Sequence, residues 1–369
     1  VASKTMSLDG ISRKIFGEKY KEVIEWCIKR EKPDKYNAIP KGRVANVYVI
    51  IEPLSRLIIR HEQETTDVTT IPTYLGISVP AILNTKFQSG AVRRQMLSLL
   101  HEWFDRNGKV KSEELKIDSY TCVMRPYMER TRERQIPEAF EGYCGECPNC
   151  LIFGYAVQEG AGYNVKSRVE GDMYVAPVPE DKCVISVTFN AIDDIAKTTY
   201  RPELPETRRR GALYEFRMIE VGTPFVGKLA LRDMTIAELL LTLLALARTT
   251  RVGGRTTHFG EVKVHIPAIL FSKYEIGGGY EVATRILGKG EYVEKALTLE
   301  DAMNEVTEYV KKFESQGILV LDRGLGDKLR GLTQEEVDTV VLQAWKDVLV
   351  LKESLDMFVG KLSKEKRKK

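Results

Sequence analysis

Residues 235–248 read TIAELLLTLLALAR, residues 251–260 read RVGGRTTHFG and residues 261–270 read EVKVHIPAIL; this succession decides the architecture. The first stretch opens on a Thr-x-x-Glu capping box, Thr235 with Glu238, and then runs almost wholly apolar, which predicts a buried helix. The last alternates and is rich in branched residues, which predicts a strand. Between them, Gly253 and Gly254 let the backbone take positive φ or approach a ligand closely. Arg248, Arg251 and Arg255 carry planar guanidinium forks, which suit phosphate oxygens better than point charges do. Such a turn is a place to hold a nucleic-acid backbone or, read more plainly, a tight helix-to-strand connection with solvated arginines.

On the N-terminal side the pattern supplies the remaining elements. The first forty residues read as an amphipathic helical start, with Ile15, Phe16, Tyr20, Val23, Ile24 and Cys27 on a rough helical period. Residues 43–60 give two strand-like pieces broken at Pro53. Residues 91–107 form an amphipathic helix, with Asn107-Gly108 as its C-cap. Residues 117–124 and 183–190 read as strands. Residues 213–221 and 225–231 read as a strand pair with Gly222-Thr223-Pro224 as the hairpin turn. Two helices close the chain, one capped by Thr298 with Asp301, the other by Thr333 with Glu336.

The core order is therefore strand, helix, paired strands, helix, strand. That predicts an α+β fold with a ferredoxin-like (RRM-like) βαββαβ core, large insertions and a helical C-terminal part. The expected division is an interrupted core over residues 1–125 and 183–290, a zinc-binding insertion over 126–182, and a helical part over 291–369. A sheet of this kind leaves one face free, a surface on or beside which single-stranded RNA is commonly bound.

Cys144-Gly145-Glu146-Cys147-Pro148-Asn149-Cys150 is a C-x-x-C-x-x-C run. Three thiolates this close converge on one tetrahedral Zn²⁺, and an all-thiolate shell leaves no open position, so a structural rather than a catalytic zinc is expected. Cys183, at the start of the strand leaving the insertion, is the first choice for the fourth ligand and Cys122 the second; the four histidines lie far off in sequence. An iron–sulfur cluster uses similar spacing, but the further Cys-Pro of such runs is missing. Cys27 reads as core.

With 43% hydrophobic and 29% charged residues, the 369-residue chain reads as folded rather than disordered. Its net charge of +4 is small, and part of the excess lies in the tail KEKRKK, residues 364–369; a local stripe of cations, not the total, is what nucleic acid needs. No run approaches the length of a membrane span and nothing resembles a signal peptide, so the expectation is a cytoplasmic protein with no membrane contact.

With these pieces in order, the chain resembles the RAMP superfamily of CRISPR-associated proteins, and within it the backbone subunits of type I-D effector complexes. The resemblance rests on the Gly253-Gly254-Arg255 loop after the apolar helix and on the interrupted core. It also rests on the segment from Pro80-Ala81-Ile82-Leu83-Asn84 to Arg93-Arg94 and on the zinc-type insertion, and it covers most of the chain. It implies a non-catalytic protein that polymerises head to tail along single-stranded guide RNA, beside other effector subunits and target nucleic acid. By the same resemblance the guide would run along residues 78–94, with Asn84, Lys86, Arg93 and Arg94 at the RNA and helix-terminal N–H groups assisting. Lys41 and Arg43 would join them, and Arg248, Arg251, Gly253, Gly254, Arg255 and His258 would line the same groove. Tyr74, Phe87 and Phe259 are candidates for stacking on bases or for core. The arginine-rich runs at 130–134 and 208–210 fall on charged loops.

Two other classes stay open. A metal-dependent nuclease could use Asp193-Asp194 or Asp67 to hold Mg²⁺ or Mn²⁺. A zinc-stapled protein-interaction module would need no RNA at all. The loops of NTPases, the HExxH of zinc proteases and the GxSxG of serine hydrolases are missing from the sequence.

Overall fold

The computed structural model describes residues 7–60, 67–115, 117, 119–123, 143–156, 163–190, 213–295, 297–322 and 324–366. Two short helices, α1 (Leu8–Phe16) and α2 (Tyr20–Trp26), lead into the long strand β1 (Val44–Pro53), followed by β2 (Thr70–Pro72) and β3 (Ser78–Ile82). A π-helix, Thr85–Val92, runs straight into α3 (Arg93–Leu115). Next come α4 (Pro148–Phe153), β4 (Val169–Gly171), β5 (Tyr174–Val175), α5 (Glu180–Cys183), β6 (Val184–Asn190), β7 (Leu213–Ile219) and β8 (Phe225–Arg232). The chain then forms α6 (Ile236–Ala247), β9 (Val262–Ser272), α7 (Gly279–Gly288), α8 (Glu291–Glu294), α9 (Leu299–Lys311), β10 (Leu319–Asp322), α10 (Leu325–Arg330) and α11 (Gln334–Lys366).

One antiparallel sheet runs β10-β9-β1-β8-β5-β3-β2, with β4 also on β8. The period-2 alternation of β1 divides the interior in two. Ala45, Val47, Val49 and Ile51 face a large core with α1, α3, α6, α10 and α11, where Trp103 and Trp345 stack at 5.5 Å. Tyr48 and Ile50 face a second core filled by Val282 and Ile286 of α7 and Val306, Tyr309 and Val310 of α9. Helices therefore cover the middle of the sheet on both faces. The open face expected from the sequence is not present, because the segment after β9 folds back over it as α7 and α9.

Three further expectations change. The residues around Gly222 make a corner between sheets rather than a hairpin: Gly222 N donates to the Pro53 carbonyl at 2.9 Å, and β7 pairs with β6 over seven residues while β8 pairs with β1. The other flank of β8 is filled by β4 and β5. The helix expected to end at Asn107-Gly108 continues to Leu115, since the Asn107 amide donates back to the Trp103 carbonyl and across to Asp338 of α11. Around Cys122, residues 119–123 are not a strand.

The capping box at Thr235 and Glu238 forms as read, and it does more than start α6. Glu238 is fully buried, and its carboxylate takes Arg30 Nη1 at 2.6 Å and both Arg168 terminal nitrogens at 2.6 and 2.9 Å. Burial alone raises a carboxyl pKa, but Arg168 and Arg30 outweigh it and hold Glu238 at about 2.

Candidate nucleic-acid interface and metal site

One wall of a groove of about 710 Å³ is the outer face of the π-helix and the first turns of α3; the other is the glycine–arginine loop. Lys86 and Arg94 stand on the first wall and Arg251 on the second, among the hydroxyls of Thr85, Ser89, Ser98, Thr249, Thr250, Thr256 and Thr257. Among the described residues that line it there is no Asp or Glu, and Glu261 stands 3.8 Å from Arg251 outside the lining. An adjoining hollow of about 230 Å³ is bounded by Ile58, Ile59, Arg60, Lys86 and Gly253-Gly254-Arg255. Cations and hydroxyl donors lining the two walls of one cleft suit a polyanionic backbone.

The loop takes its shape by pressing on its own chain. Gly253 has φ +94°, and a Cβ there would lie 2.5 Å from the Ile58 carbonyl oxygen, which also accepts the Gly254 N–H at 2.8 Å. Gly260 has φ +80°, with the Val252 carbonyl oxygen 2.3 Å from where its Cβ would be. The close approach that glycine permits is thus spent on residue 58 and Val252. Arg255 itself sits at φ 51°, its guanidinium 4.2 Å above the Phe216 ring. Arg251 donates to the Phe259 carbonyl at 3.1 Å and lies 3.8 Å from Glu261.

Of the sequence-derived RNA residues, the groove and its hollow bring together Lys86, Arg94, Arg251, Gly253, Gly254 and Arg255. Others lie elsewhere. Arg93 points inward, 9% exposed, because one helical step separates it from Arg94. Asn84 donates to Gln88 at 2.5 Å and abuts Gly171. Arg248 is the half-buried C-cap of α6, and His258 is exposed, outside the lining residues. Lys41 and Arg43 line a different cleft, where the Arg43 guanidinium donates to the Glu25, Trp26 and Cys27 carbonyls at the end of α2. Phe87 is core, packed on Tyr174 at 4.6 Å, while Tyr74 is 71% exposed. The runs at 130–134 and 208–210 and the pair Asp193-Asp194 lie outside the described residues. Asp67 is engaged by Arg60 Nε at 2.7 Å and by the Arg217 N–H at 3.2 Å.

Behind the first wall the Sγ atoms of Cys122, Cys144, Cys147 and Cys150 lie within 4.8 Å of one another, and this is the one group of three or more ligand side chains among the described residues that could hold a metal ion. Sulfurs at about 2.3 Å from a tetrahedral zinc stand about 3.8 Å apart; Cys122 to Cys150 is 3.6 Å and Cys144 to Cys150 is 4.0 Å. N–H and O–H groups turn toward the sulfurs, as a thiolate cluster requires: Asn149 Nδ2 at 3.7 Å from Cys122 Sγ and 4.0 Å from Cys150 Sγ, and the Tyr120 hydroxyl at 3.5 Å from Cys147 Sγ. The donor set and spacing fit a metal.

Cys183, the first choice for the fourth ligand, is not in the cluster. It closes α5 and sits in the second core with Tyr48 and Ile50, its Sγ 3.4 Å from the Pro179 carbonyl oxygen. Cys122 takes the place because residues 119–123 pass beneath α3, where the Cys122 carbonyl meets His101 at 2.6 Å.

A family model described as Csc2 CRISPR matches residues 31–347. The chain belongs to that family. Among solved structures this Csc2-family chain is similar to Csc2 of Thermofilum pendens, with a TM-score of 0.63 and 23% identity over 92% of this chain and 96% of that one. Weaker likenesses are to chains from two structures titled as CRISPR RNA-guided surveillance complexes. One, described as pre-nicking, has a TM-score of 0.45 and 12% identity over 75% of this chain and 90% of that one; the other has 0.40 and 13% over 74% and 87%. A search of curated proteins finds no match. Among the described residues no helix is long and apolar enough to cross a membrane.

Proposed function

We propose that the chain is the guide-RNA-binding backbone subunit of a type I-D CRISPR effector complex. In this reading it polymerises head to tail on single-stranded guide RNA in the cytoplasm, beside other effector subunits and target nucleic acid, and performs no chemistry itself. The observation that carries the reading is the groove that Lys86 and Arg94 of one wall and Arg251 of the other line together, among seven Ser and Thr hydroxyls; membership of the Csc2 CRISPR family agrees with it. Neutralising phosphates releases counterions and is blind to sequence, leaving specificity to base pairing by the guide. The neighbours β9, β1 and β8, with α3 and α6 against them, are read as the ferredoxin-like core, with residues 126–182 as an insertion that lends β5 to the edge of its sheet and 291–369 as its helical cover. The four cysteines are read as a structural Zn²⁺ site that supplies rigidity and no catalysis.

The test is a titration of nuclease-treated protein against labelled single-stranded RNA of several sequences, and a matched duplex, over a salt series. Three phosphates at ~0.7 each predict a log–log salt slope of about −2 per subunit. Binding should prefer single strands, tolerate sequence and fall at least tenfold in Arg251→Ala/Arg255→Ala. No affinity at low salt would sink the proposal in favour of a zinc-stapled interaction module.

A further inference from the structure

The wall of the groove has an inner face, and that face is tied to the cysteine knuckle. Three side chains anchor the π-helix from behind: Phe87 against Tyr174, Gln88 through Nε2 to the Val169 carbonyl at 2.7 Å, and Arg93. Arg93 carries the π geometry, its backbone N–H reaching back five residues to the Gln88 carbonyl. Its Nε donates to Asn149 Oδ1 at 3.0 Å, Nη2 to the Gly154 carbonyl at 2.7 Å, and the guanidinium lies 3.9 Å over the Tyr143 ring. Asn149 in turn aims its amide nitrogen at Cys122 and Cys150 Sγ. A primary amide can present its oxygen to Arg93 only while its nitrogen stays toward the sulfurs, so the two contacts select one orientation.

We propose that Arg93 is a positioning residue through which the metal state of the knuckle sets the grip of the groove on RNA. This rests on the proposed function. Converged thiolates hold the Asn149 amide, the amide orients Arg93, and Arg93 holds the turn that presents Lys86 and Arg94. Coupling between two sites is reciprocal, so RNA in the groove raises the affinity for the metal by the factor by which the metal strengthens RNA binding.

The experiment uses the full zinc-loaded protein and four variants: Arg93→Ala, Arg93→Lys, Asn149→Ala and Arg94→Ala. Single-stranded RNA affinity is measured over a salt series, zinc release to a chromogenic chelator is timed with and without RNA, and backbone amide exchange is followed over residues 85–94 before and after chelation. A residue that touches phosphate lowers the salt slope when removed, whereas one that acts through position lowers affinity at constant slope. Arg93→Ala and Asn149→Ala are expected to weaken RNA binding about fivefold, on the scale of typical coupling between sites, with the wild-type slope kept. Arg94→Ala should instead flatten the slope by about 0.7. Arg93→Lys should recover little, since an ammonium lacks the fork. RNA should slow zinc release, and chelation should speed exchange at residues 85–94. Equal slope loss in Arg93→Ala and Arg94→Ala would overturn the proposal by making Arg93 a direct contact. Unchanged exchange after chelation, with RNA still bound by the wild type, would overturn it alone; failure of the wild type to bind RNA would overturn the functional reading and this proposal with it.

Discussion

Two groups of acidic side chains sit in the same large core: one carries its countercharge within the chain, and the other is a cysteine cluster that could hold a metal ion. Glu238 meets its countercharge within the chain, from Arg30 and Arg168. The cysteine knuckle has four thiols, three of them fully buried, and the donors to its sulfurs among the described residues are the neutral Asn149 and Tyr120. A buried anion with built-in cations is complete at synthesis. A buried set of thiolates is complete only when a cation arrives from solution. The two are joined by one side chain, because Arg168 also donates through Nε to the Leu151 carbonyl, next to Cys150.

The comparison breaks most visibly by removing the outside cation. Chelation should lower the unfolding midpoint by about 13 °C, since structural zinc is worth on the order of 10 kcal/mol in small zinc modules. A midpoint that does not move after metal loss is verified by elemental analysis would show that the thiols pack without a cation. The self-contained centre should respond less. Glu238→Gln leaves two arginines facing a neutral amide and should cost about 3–5 kcal/mol in urea unfolding. Replacing all three charges by Glu238→Leu/Arg30→Met/Arg168→Met should recover most of that, and failure to recover it would mean the charges specify more than they cost.

The same centre fixes an acid response. With a folded value of about 2 against an ordinary 4.5, Glu238 contributes stability that is fully present above pH 4.5 and is lost as pH falls toward 2. By pH 3 the loss should be about 2 kcal/mol, and it should be absent from Glu238→Gln. An equal loss in the variant would assign acid unfolding to other carboxylates. The smallest effect sharpens the boundary of the knuckle. Cys183→Ala should leave metal content unchanged and cost about 1 kcal/mol of packing, whereas Cys122→Ser should lose the metal. The reverse result would restore Cys183 as the ligand.

Legibility followed the range of the interactions involved. The capping boxes at Thr235 and Thr298, the apolar α6 and the cysteine run are local patterns, and all form as the spacing implies. The fourth ligand is not local: chain proximity favoured Cys183, but α5 carries it to the opposite face of the sheet from the knuckle. Arg93 and Arg94 were indistinguishable as letters, and only the helical phase separates a groove cation from a strut. The partners of Glu238 lie 208 and 70 residues away, so the sequence offered its capping role but not its ion pairs. Asn149 was the missed residue with a usable signal, since it lies between two ligands in Cys147-Pro148-Asn149-Cys150 and brings an amide donor to the sulfurs.

The tight seat of Gly253 against residue 58 also has a practical side for anyone wishing to alter this protein. The loop's contour is set by its backbone against a neighbouring backbone, with no space for even a methyl group at Gly253 or Gly260. The exposed side chains of Arg251 and Arg255 decorate that contour. Charge and shape are therefore separate dials here. Substitution at 251 and 255 can retune ionic-strength tolerance in graded steps, while a library that varies 253 or 260 will mostly sample collapsed loops.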